Sequence, residues 1–189
     1  MTLILILSLF TLQLTPKEAI PVNTQKSTIA WEGGSATTTH NGLIGLKSGS
    51  LEISDGKLTG GTFEVDMTTI TNLDVSEAYR GKLENHLKSE DFFDAKAFPS
   101  AHLVIIKTTA ENENRYRIVA ELTIRNITKA IEFNATLSPI GNDYEATATF
   151  NFDRSEFEVK HRSGSFFMNL GDKLIYDDIN VEISLVTQE

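Results

Sequence analysis

From residue 27 onward, hydrophobic and polar positions alternate with a period of two. Across residues 115–124, Tyr116, Ile118, Ala120, Leu122 and Ile124 share one face; Arg117, Val119, Glu121 and Thr123 share the other. Ile131, Phe133, Ala135 and Leu137 alternate in the same way, as do Phe63, Val65 and Met67, then Ala146, Ala148, Phe150 and Phe152, then Ile179, Val181, Ile183 and Leu185. Strict alternation over such windows predicts half-buried β-strands. Turn residues separate the runs at 54–57, 110–114, 126–128 and 139–143. Short strands at near-regular spacing, with no βαβ alternation, predict antiparallel hairpins that form a sandwich or a barrel. The fold class is all-β.

One stretch departs from this period. Tyr79, Leu83, His86 and Leu87 stand at helical spacing, so a short helix is predicted over 76–88, with Ser76 or Asp74 available as N-cap. Phe92, Phe93 and Phe98 follow, and Phe98-Pro99 forces an extended path into a strand at 101–108. Leaving such side chains in water would forfeit ~1.5–3 kcal/mol each. They therefore plug a core or line the mouth of a cavity. A lone helical excursion in an all-β chain serves as a lid, a plug or a cover for a sheet edge.

Composition narrows the partners. The 189 residues suit one domain with a short extension, and 40% hydrophobic with 23% charged residues marks a globular chain. A formal net charge of -9 argues against nucleic acid and against tight binding to anionic membrane surfaces. The absence of cysteine excludes disulfides, thiolate nucleophiles and iron–sulfur clusters. The apolar run from Leu3 to Leu14 is shorter than the ~20 residues a membrane-spanning helix needs. It has the length of a secretory signal, so residues 1–20 read as a signal peptide and the expected location is periplasmic or secreted. No Lys or Arg precedes the run, and Ala19 is the small residue in the cleavage region. A buried N-terminal strand is the alternative.

Candidate chemistry is sparse. His40, His86, His102 and His161 show no metal-ligand spacing. His40 and His86 are expected to hydrogen-bond backbone groups at a turn and a helix end. Gly164-Ser165 lacks the nucleophile-elbow pattern, and Asp177-Asp178 reads as a solvated turn. Gly33-Gly34 and Gly60-Gly61 read as strand bulges. No catalytic residue, metal site or cofactor is assigned. A closed barrel of about eight strands fills its interior or holds one ligand. The small residues Ala120, Ala135, Ala146 and Ala148 leave room among the large ones. A core in which small and large side chains interdigitate fits them equally well.

Several motifs together resemble one family. They are Trp31-Glu32-Gly33, His40-x-Gly42, Gly49-Ser50-Leu51, Gly61-x-Phe63-x-Val65-Asp66-Met67, the block from Leu83 to Asp94 with Phe98-Pro99, Leu122-Thr123-Ile124 with Ile127-Thr128, and Arg154-Ser155-x-Phe157. Over residues 27–187 the chain resembles the YceI-like family, in versions most like those of Bacteroidota-type bacteria. The resemblance implies a lipocalin-like, extended antiparallel β-barrel of about eight strands. It further implies a non-catalytic binder of a polyisoprenoid or acyl chain, a periplasmic carrier or store. Two departures stand out: Asn126 replaces the usual turn glycine, and Ser-Glu-Phe-Glu follows Arg154. Asn tolerates positive φ, so that turn can survive.

On this reading the ligand-facing wall consists of Phe63, Val65, Met67, Leu87, Phe92, Phe93, Phe98, Leu103, Ile105, Ile118, Leu122, Phe133, Phe150 and Phe152. His86, Lys88 and Arg154 are candidates to meet a polar head group. The competing reading makes the phenylalanines a plug, Lys88 a solvated helix-end charge and Arg154 the partner of a carboxylate. The expected partner is a lipid-like small molecule. No nucleic acid and no stable membrane insertion of the mature chain are expected, and an exposed sheet edge would favour a homodimer. The second function class is a filled barrel serving stress response or protein interaction without cargo.

Overall fold

The alternating segments become strands β1 (Glu18–Pro21), β2 (Thr28–Gly34), β3 (Thr39–Ser54), β4 (Lys57–Asn72), β5 (Ser100–Ala110), β6 (Arg115–Ile124), β7 (Ile127–Ile140), β8 (Asp143–Asp153) and β9 (Asp178–Val186). The computed structural model describes residues 18–188, so the run from Leu3 to Leu14 lies outside the described residues. Ala19 lies within β1, opposite Glu52.

Strands β2 to β9 form a closed antiparallel ring of eight. The order is β2-β9-β8-β7-β6-β5-β4-β3, and β3 closes the ring by pairing with both β4 and β2. β1 prolongs the line of β2. It pairs with residues 50–53 of β3, and its end meets β9 through the Val22–Thr187 bridge and a 2.9 Å bond from the Gln188 N–H to the Pro21 carbonyl. Closure removes the row of unpaired backbone groups that an open sheet presents. It decides for a barrel over a sandwich, and among the described residues it leaves no long free edge through which a dimer could extend the sheet. No helix of the described residues is long and apolar enough to cross a membrane.

Local sequence fixes the tight turns. Asp55 and Gly56 (φ 50° and 71°) join β3 to β4, and Arg125 and Asn126 (φ 50° and 60°) join β6 to β7. Two consecutive positive φ values make the two-residue hairpin turn whose twist matches that of its strands. Asn126 thus adopts the left-handed conformation its amide permits. The turn expected at 126–128 lies at 125–126, because Ile124 pairs with Ile127 and the ladder resumes there. Likewise Pro139 and Ile140 stay in β7, Ile140 pairs with Asp143, and the connection narrows to Gly141-Asn142. The long strands β3 and β4 bend at three register shifts, one of them beside Gly60. Phe63 lies flat on their wall: a Cβ on Gly49 would come within 2.7 Å of its Cδ1.

The helix α1 (Glu77–Lys88) forms where its spacing predicted. Ser76 flanks it, yet its hydroxyl makes no capping bond. A polar network on β4 holds the approach instead. Buried Asn72 donates to the Asn41 carbonyl at 2.9 Å, and its side-chain oxygen accepts the Val75 N–H at 2.8 Å. The Asn72 backbone N–H reaches Glu84 at 2.8 Å. Tyr79 is 67% exposed, so the inward face of the helix is carried by Leu83, His86 and Leu87.

In an antiparallel ring, successive connections fall on alternate ends. The β3–β4, β5–β6 and β7–β8 hairpins share one end. The other end carries the β2–β3 and β6–β7 turns together with the two long connections, residues 73–99 with α1 and residues 154–177. Among the described residues, the helix and the two longest connections therefore collect over one mouth of the barrel.

Candidate functional site

The inward faces of the ring enclose a cavity of about 500 Å³. A filled protein interior is packed to the density of an organic crystal with almost no void. A mostly apolar cavity of several hundred Å³ is the size of a small-molecule site. Ala135, Ala146 and Ala148 stand on its wall, where larger residues would fill it, whereas Ala120 is fully buried away from it. The interior left open by the sequence is thus unfilled.

Of the residues assigned to the wall, the structure brings together Phe63, Val65, Met67, Leu87, Phe92, Phe93, Leu103, Ile105, Ile118, Leu122, Phe133, Phe150 and Phe152. Phe133 and Phe150 stack there with centroids 4.9 Å apart. Phe98 does not line the cavity. It is half-buried beneath the Arg125 guanidinium, 5.6 Å from the ring centroid, because the turn after α1 carries it to the outer side of the cap. Trp31, Ile44, Ile179 and Leu174 also line the wall and were not assigned from sequence. The alternation of β9 already displayed Ile179; Leu174 lies in a connection without any period.

The polar candidates separate. Lys88 stands off the wall and reaches the Thr68 carbonyl at 3.4 Å. Arg154 borders the cavity but is fully buried and structurally engaged. It donates through Nε to the Tyr176 carbonyl (3.0 Å), through Nη1 to Val159 (2.8 Å) and through Nη2 to Ile175 (3.1 Å). Its Nη2 also lies 3.1 Å from Asp177 Oδ1. Burial pushes the guanidinium below its ordinary value, while Asp177 and Asp153 hold it charged. Asp177 is therefore no solvated turn residue. It is the counter-ion of Arg154, and it accepts bonds from the Ser163 and Ser165 hydroxyls at 2.8 and 2.9 Å.

Arg125, which carried no sequence signal beyond its place in a turn, joins the two long connections. Its Nη1 donates to the Phe92 carbonyl at 3.1 Å and to the Glu158 carbonyl at 2.7 Å. His40 does not bond a backbone group as expected; its Nδ1 lies 2.8 Å from Asp74 Oδ2. Burial acts to raise the Asp74 carboxyl, but bonds from the Asn41 N–H, His40 and Asn72 outweigh it and hold it at about 2. His86, at the end of α1, meets two aromatic neighbours edge-on: Phe92 at 5.0 Å and His161 at 4.8 Å. Its Nε2 lies 3.4 Å from Asp91. Burial and then the adjacent His86 push the His161 imidazole below its ordinary value; Asp91 opposes, and Arg162 and Arg154 reinforce. His161 is 75 positions from His86 in the chain, so only the fold reveals the pair.

The barrel and its cap recur in known proteins. A UPF0312 protein of Photorhabdus laumondii is 29% identical over 120 residues, 64% of this chain and 60% of that protein, so the match spans less than two thirds of its relative. Among solved structures, Burkholderia cenocepacia BcnA superposes with a TM-score of 0.74 at 18% identity, covering 88% of this chain and 99% of the other. A polyisoprenoid binding domain from Saccharophagus degradans, implicated in plant cell wall breakdown, gives 0.68 at 10% identity, covering 90% and 98%. The YceI-like domain model matches residues 21–187, nearly the whole capped barrel, and the chain belongs to the YceI-like family.

Proposed function

We propose that this protein binds, without chemical conversion, an amphiphile whose apolar chain, polyisoprenoid or acyl, occupies the barrel. The observation that carries this reading is the apolar cavity of about 500 Å³, roofed by α1 and the 154–177 connection. Each methylene moved from water onto such a wall contributes ~0.8 kcal/mol. An apolar void of this kind excludes water and accepts an apolar guest. The likeness to a polyisoprenoid binding domain supports the same ligand class. The apolar run at 3–14 adds export to this proposal, making the protein a carrier or store outside the cytoplasm. A cargo-free filled barrel is the weaker reading, because the wall leaves its interior open.

Native mass spectrometry and lipid extraction of protein purified from its own host test the proposal. One chain-bearing lipid per protein is expected. Ala148→Phe, which grows a ring from the wall into the void, is expected to abolish that occupancy while melting at or above the parent temperature. Protein that carries no stoichiometric lipid, and that takes up none in either form when offered isoprenoid or fatty-acyl chains, sinks the carrier reading.

A further inference from the structure

We propose that His86, Asp91 and His161 form a binding site for one divalent transition-metal ion of the zinc class, on the cap of the barrel. Their donor atoms lie within 4.8 Å of one another, although the residues come from the two different long connections. His86 closes α1, Asp91 follows in the turn that Ser89 ties to the His86 carbonyl at 2.7 Å, and His161 arrives from the connection between β8 and β9.

Metal–donor bonds of 2.0–2.2 Å in tetrahedral array place donors about 3.4 Å apart. The His86 Nε2–Asp91 Oδ2 pair already stands at 3.4 Å. The remaining separations, up to 4.8 Å, would have to shorten toward that value as an ion binds. Both imidazoles are set by packing on Phe92, which is itself buried: His86 stands edge-on at 5.0 Å and His161 lies tilted at 5.2 Å. Such support orients ligands before the ion arrives.

Two imidazoles and one carboxylate select zinc, nickel or copper over magnesium or calcium, which prefer all-oxygen shells. Three protein ligands leave at least one position open. Both histidines also border the main cavity, and His161 and Asp91 border a second recess of about 440 Å³ that includes Glu90 and Glu158. Of the nearby cations, Arg154 is paired with Asp177 and Lys160 with Glu158, while Arg125 and Arg162 line the same recess as Glu90 and oppose a cation there. A bound ion would clip the α1 turn to the 160s loop and so fasten the cap. The two histidines sit at the roof of the proposed lipid cavity, so the site adjoins that cavity; the inference does not rest on the lipid reading, because zinc alone reads it out.

The test is calorimetric titration of untagged, EDTA-stripped full-length protein with zinc chloride. One saturable site per chain is expected, with melting temperature rising as free zinc rises. His161→Gln and His86→Gln should each weaken the site on the order of tenfold or more. Asp91→Asn, at an exposed position that does not endanger folding, should weaken it too, and His102→Gln should leave it unchanged. Imidazole NMR signals of His86 and His161 should shift together on zinc addition. No saturable binding, or unchanged affinity in Asp91→Asn and both histidine variants, overturns the proposal.

Discussion

The two ends of this barrel are built on opposite principles. At the hairpin end, strands meet through turns a few residues long, and each turn is set by its own residues, as at Asp55-Gly56. At the capped end, residues distant in sequence hold one another. Arg154 on the β8 connection grips carbonyls of Val159, Ile175 and Tyr176, and Arg125 on a third connection grips Phe92 and Glu158. The tight hairpin turns need only local backbone chemistry. The capped end must satisfy buried charge at long range. On the proposed reading the guest enters through the cap, which side chains hold, and not through the stitched hairpin end.

Breaking the capped end should have the largest effect. Arg154→Ala removes a fully buried cation, orphans three carbonyls and leaves Asp177 without its counter-ion. We expect a loss of about 3–5 kcal/mol in denaturant unfolding. A loss below ~1 kcal/mol would show that the corner tolerates an empty guanidinium site.

Arg125→Ala separates cap mobility from global stability. Its two bonds to carbonyls are charge-assisted and partly exposed, so about 1.5–3 kcal/mol is at stake. The loss should appear in hydrogen exchange as faster opening of residues 86–98 and 154–162, with β6 and β7 still protected. Uniform acceleration across the barrel would show that the Arg125 bonds hold the whole fold rather than the cap alone.

At the stitched end the effect should be smallest. Gly56 has φ 71°, and a Cβ there meets nothing within 4 Å, so Gly56→Ala adds backbone strain alone. About 1 kcal/mol of destabilisation is expected, with lipid occupancy unchanged. If occupancy fell as well, the hairpin end would also take part in admitting ligand.

Much of this was legible in the chain. The wall residues showed themselves because a strand exposes every second side chain to one side; Phe133 and Phe150 needed only their alternation. The helix at Glu77–Lys88 announced itself through Leu83 and Leu87. Phe98 and Lys88 were misplaced because they follow or end a helix, where no period constrains direction. Asp177 was read as solvated because its partner stands 23 positions earlier, beyond any local pattern.

By itself, then, the sequence determined the period of the strands, the turn chemistry at Asp55-Gly56 and Asn126, the helical excursion and the family likeness. These follow from interactions between residues a few positions apart, which the chain carries in its order. Only the tertiary structure decided that the ring closes with an unfilled interior, that Arg154 is tied to Asp177, and that His86 meets His161 across the roof. Those outcomes depend on how side chains from separate strands and connections sum in volume and charge at one place, and no linear pattern records that sum.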